Sequence, residues 1–81
     1  MASSARIHFL LNAISEALRT IAPVPTSLET ERVVREAESL RTAVDSWRHS
    51  PPTRVLREGV MQRVLRLHVA AAWLRRRAYS K

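Results

Sequence analysis

His49-Ser50-Pro51-Pro52-Thr53 and its earlier counterpart, Ala22-Pro23-Val24-Pro25-Thr26, hold all four prolines of this 81-residue chain. Proline lacks the N–H that a helix interior needs and clashes with the preceding turn, so neither stretch lies inside a continuous helix. Three segments remain, 4–21, 27–48 and 51–79, and each repeats its apolar residues with the helical period rather than with strand alternation. The expected fold class is all-α: a three-helix antiparallel bundle with a long C-terminal helix, in a single domain spanning 1–81. Short joints favour antiparallel neighbours.

The first helix places Ile7, Leu10, Leu11, Ile14, Ala17, Leu18 and Ile21 on one face, with Ser3 or Ser4 as its cap. The second opens on Thr26-Ser27-Leu28-Glu29, a capping-box pattern in which hydroxyl and carboxylate each satisfy an orphan backbone N–H. Val33, Ala37, Leu40, Val44 and Trp47 then form its seam. Glu31–Arg35 and Arg32–Glu36 are spaced as i,i+4 pairs on its wet side. The third helix is expected from Pro51 with Ser50 as cap, proline being tolerated in a first turn. Its core stripe reads Leu56, Val60, Val64, Leu67, Ala71, Leu74 and Ala78. Gly59, the only glycine, falls inside it and allows either a close approach or a slight kink. At 1.5 Å per residue the predicted lengths are roughly 27, 33 and 43 Å, so the last helix outruns the second and carries Arg75, Arg76 and Arg77 on the overhang.

Charge is divided as sharply as structure. Six arginines face six carboxylates from Met1 to His49, leaving that part neutral. From Ser50 onward Arg54, Arg57, Arg63, Arg66, Arg75, Arg76, Arg77 and Lys81 are opposed in sequence only by Glu58, which accounts for the net charge of +7. Such a split suggests a body plus an arm for an anionic or carboxylate-bearing partner. Thirteen of the fourteen basic residues are arginine, whose planar fork suits phosphate and carboxylate. A GC-rich coding sequence also supplies arginine freely, so the bias alone decides little.

The second half of the last helix is apolar on more than one side. At 100° per residue Val69 and Trp73 point almost opposite to Leu67, Ala71 and Leu74. Three helices of this size cannot enclose a fourth surface, so the Val69–Trp73 side is expected to meet something outside the chain. The alternative places Trp73 against the Pro23–Pro25 joint. Arg66, Arg76 and Arg77 border the patch, and arginine beside tryptophan is the composition of interface hot spots.

Catalytic and cofactor signatures are absent. Cysteine is missing, which excludes disulfides and thiolate metal sites, and nothing points to an oxidising compartment. His8, His49 and His68 have no ligand partner at i,i+3 or i,i+4, and a single glycine makes no phosphate-binding loop. Most of the serines lie at helix ends and turns, where capping explains them. The expectation is that the chain is not an enzyme and uses no cofactor or metal. No stretch approaches the roughly 20 apolar residues of a membrane span. Residues 1–15, with Arg6, three serines and no acid, match a mitochondrial transit segment as well as the start of a core helix. An intracellular and cytoplasmic location is expected, with a mitochondrial one as the second reading.

At 81 residues the core alone should yield about 4 to 8 kcal/mol, so a partner that covers apolar surface would add stability. The functional expectation is a non-catalytic helical protein-binding module: an accessory subunit, adaptor or chaperone-like assembly factor. Its partner would be another protein with an acidic-rimmed apolar groove or helix. Val69, Trp73 and Met61 are the expected apolar anchors, with Arg66, Arg75, Arg76 and Arg77 pairing carboxylates at the rim. The alternative ligand is RNA or DNA phosphate, held by Arg54, Arg57, Arg63, Arg66, Arg75, Arg76 and Arg77. A membrane surface ranks third, and a homo-oligomer could form if the seam of the second helix paired between chains.

Overall fold

The computed structural model describes residues 4–80. Helix α1 spans Ser4–Ile21, α2 spans Leu28–Asp45 and α3 spans Arg54–Tyr79, and no strand occurs among the described residues. A 3-10 turn, Ser46–Arg48, extends α2. All three helices pack on one another in a body of 47 × 18 × 15 Å. The antiparallel course of α2 and α3 is plain from their side chains: Arg77, near the end of α3, meets Glu29, at the start of α2.

The proline joints limit the helices as expected, but the caps differ. Ser27, not Thr26, caps α2, and the box closes with Thr30 rather than Glu29. The Ser27 hydroxyl accepts from the Thr30 N–H at 3.2 Å, and the Thr30 hydroxyl accepts from the Ser27 N–H at 2.8 Å. The expected box pairs a hydroxyl with a carboxylate, whereas the observed one uses two hydroxyls. The one that forms tucks a small hydroxyl residue, Thr30, against the core and turns Glu29 outward, where it finds Arg77.

The third helix begins at Arg54, three residues later than predicted, and Thr53 caps it by accepting from the Leu56 N–H at 3.2 Å. Ser50 does not cap it. A residue before proline is driven out of the helical region, so Pro51, which precedes Pro52, cannot open the helix behind a Ser50 cap. The first hydroxyl past the pair, Thr53, therefore takes the cap. At the start of α1, the expected Ser3 cap lies outside the described residues, and Ser4 is already helical.

The core is the sum of the three stripes. Ile7, Leu10, Ile14, Ala17 and Ile21 of α1 meet Val33, Ala37, Leu40 and Val44 of α2 and Val60, Val64, Leu67, Ala71 and Leu74 of α3. Trp47, on the 3-10 turn, closes one end and is only 3% exposed. Leu11, Leu18, Val24 and Met61 pack against this cluster half-buried. The apolar face of residues 7–14 is thus spent on the core. Leu56 and Ala78, expected in the stripe of α3, are exposed. With 26 residues, α3 is about 39 Å long against about 27 Å for the 18-residue α1 and α2, so it outruns both.

Helix α3 runs unbroken through Gly59, and a Cβ built there would meet nothing within 4 Å. Neither a close approach nor a positive φ needs this glycine. Gly59→Ala should therefore stabilise the chain by about 1 kcal/mol, raising Tm by about 4 to 8 °C. Urea unfolding checks this, and a loss of stability would mean that something packs on that face.

Candidate docking surface

On α3, Leu65, Val69 and Trp73 recur every fourth residue and stand exposed at 56%, 69% and 52%. They form one wall of an open groove of about 560 Å³ between α2 and α3, with Arg32 and Val33 on the α2 side. Ala70 and Leu74 also line it. Trp73 does not shelter in the Pro23–Pro25 joint. It lies across from Glu29, with the Arg77 guanidinium 4.9 Å from its ring centroid.

Leu65 is the apolar residue of this row that sequence reasoning missed, and Val69 minus four was the available signal. Met61 continues the same spacing but leaves the line. Each four-residue step drifts about 40° around a helix, so Met61 is about 120° from Trp73 and packs half-buried on the core. It does not line the groove.

Folding also redistributes the charge. The C-terminal arginines are not opposed only by Glu58, because α2 supplies Glu29 and Glu36. Arg77 Nη2 lies 2.6 Å from Glu29 Oε1, and Arg63 grips Glu36 with Nε at 3.1 Å and Nη2 at 2.8 Å. Arg54 pairs with Glu58 at 3.2 Å, and Arg75 stands 6.0 Å from the Tyr79 ring centroid. The expected Glu31–Arg35 and Arg32–Glu36 pairs do not form among the described residues; the α2 carboxylates engaged across the bundle are Glu29 and Glu36. Losing Glu36 to the two-pronged Arg63 frees Arg32, which turns to the groove. Arg57, Arg66 and Arg76 likewise have no carboxylate partner among the described residues, and Arg66 also lines the groove.

The hydrogen bonds from Arg63 hold the Glu36 carboxyl below its ordinary value of 4.5; burial opposes the shift and the Arg63 charge adds to it. Arg63 is raised in turn by the same hydrogen bonds. A lowered carboxyl stabilises the fold above its ordinary value and loses that contribution as pH falls through the lowered one. Both side chains are at least 40% exposed, so the pair is worth less than about 1 kcal/mol. Glu36→Gln should be weaker than the parent by that amount at neutral pH, and the difference should vanish in acid. Urea melts at the two conditions check it, and a gap that persists in acid would refute it.

His8 and His49 are exposed and His68 is half-buried. No three metal-ligating side chains come together among the described residues, and none of its helices is long and apolar enough to cross a membrane. Comparison with protein-family models, with curated proteins and with solved structures finds no match to this chain.

Proposed function

We propose that the chain is a non-catalytic protein-binding module, an intracellular accessory or assembly factor, whose docking site is the groove between α2 and α3. The observation that carries this reading is the row Leu65, Val69 and Trp73, more than half exposed and, unlike the other exposed apolar side chains of α3, gathered along one groove. Leaving an indole and two aliphatic side chains in water forgoes several kcal/mol of burial that a partner would recover. Arg66 and Arg32 stand at the same groove with unsatisfied charge, which favours carboxylates and speeds encounter.

The nucleic-acid alternative is weakened by the ion pairs. Of its seven arginines, Arg54, Arg63 and Arg77 already hold carboxylates of the same chain. Phosphate would have to displace them.

A photo-crosslinking residue at Val69, compared with one at the exposed Glu38 on α2, tests the reading in native extract. The expected result is a protein adduct from position 69 that resists nuclease and disappears when Trp73→Ala is added. An adduct lost on nuclease treatment, or equal labelling from both positions, would contradict it.

A further inference from the structure

Resting on that reading, we infer that the occupant of the groove is an acidic amphipathic α-helix, lying between α2 and α3 as a fourth helix of the bundle.

The charge pattern along the groove selects the acid. Along the two helices it is flanked by ion pairs: Arg77 with Glu29, which lines the groove, and Arg63 with Glu36, which line an adjoining hollow that shares Arg32, Val33, Arg66 and Ala70 with it. Between them lie two cations without carboxylate partners among the described residues, Arg32 on the α2 wall and Arg66 on the α3 wall. A ligand with carboxylates on both flanks of an apolar stripe meets one cation on each side. A neutral ligand leaves both facing its edges.

The lining selects the helix. Few polar groups line the groove: Glu29 is taken by Arg77, and what remains is Gln62 and the two free arginines. An extended peptide would bring unpaired backbone N–H and C=O groups against this apolar surface, whereas a helix satisfies its own. Two antiparallel helices also present the ridge-and-groove shape into which another helix packs. From Leu65 to Trp73 the wall is about 12 Å long, room for two to three turns.

A second copy of the chain does not fit the pattern. Its net charge is +7, and its own α3 offers Glu58 alone, already held by Arg54. Two such surfaces would set arginine against arginine.

The test uses four probes: a stapled helical peptide with leucines on one face and glutamates on both flanks, its glutamine-for-glutamate counterpart, a proline-interrupted peptide of the acidic composition, and a single-stranded RNA. The acidic helix should bind in low salt, with the glutamine helix about tenfold weaker. Arg66→Ala and Arg32→Ala should each weaken the acidic helix by up to about fivefold while leaving the glutamine helix unchanged. Equal affinity for the two helices would overturn the acidic assignment, and equal binding of the interrupted peptide would overturn the helical one. In either case the docking reading survives, because a peptide still occupies the groove. No peptide binding to the folded chain, or a dimer in sedimentation equilibrium, overturns the inference. Peptides inert and RNA bound with steep salt dependence would sink the docking reading as well.

Discussion

Trp47→Ala should destabilise the chain by about 3 to 5 kcal/mol, the range for removing a buried aromatic side chain. Trp47 is 3% exposed and caps the end of the core where the 3-10 turn bends back onto α1 and α2. The whole bundle is expected to be stable by about 4 to 8 kcal/mol, so this substitution removes most of the margin. The variant should show a much reduced or absent cooperative transition in urea and a strong loss of near-ultraviolet circular dichroism. A variant that melts within about 1 kcal/mol of the parent would mean that the 3-10 turn does not belong to the core.

Trp73→Ala should behave in the opposite way. The indole is 52% exposed, and the Arg77 guanidinium over its ring is worth about 0.5 to 1 kcal/mol at an exposed site. Stability should therefore change by no more than about 1 kcal/mol. Affinity for the acidic helix should fall by about 30-fold or more, the mark of an aromatic hot spot worth about 2 kcal/mol. Isothermal titration on a variant shown to be folded separates the two effects. Loss of folding together with binding would make Trp73 a structural residue, and unchanged affinity would remove it from the interface. One tryptophan belongs to the fold and the other to its use.

The architecture was legible because each level of the sequence agrees with the next. Proline pairs exclude helix, the intervening segments keep one apolar period, and the buried apolar residues of α1 and α2 all lie among those the period names. The misplaced caps share one cause: they turn on a choice between near-equal local options. Thr26 and Ser27 are both competent caps, and only burial of Thr30 against the core decides between them. Ser50 and Thr53 offer a similar choice, decided by the steric rule on residues before proline.

The candidate surface was half legible. The apolar side of α3 follows from the helical wheel, which is why Val69 and Trp73 could be named. Arg32 could not, because its role depends on Glu36 preferring Arg63, a residue 27 positions away. Local spacing proposed Arg32–Glu36, and the two-pronged contact across the bundle prevailed. Pairing between distant helices depends on their register, which no short-range pattern contains. The same limit made the C-terminal arginines look more nearly free than they are.

Labelling the chain with 5-fluorotryptophan tests the central claim most directly, since its two resonances report the two indoles without a substitution in the core. In the isolated protein the Trp73 signal should show a full solvent isotope shift between H2O and D2O and the Trp47 signal almost none. Adding the acidic helical peptide should move and shield the Trp73 signal alone. Two solvent-shielded signals in the free chain, or a peptide that moves Trp47 and leaves Trp73 in water, would contradict an open docking groove between α2 and α3.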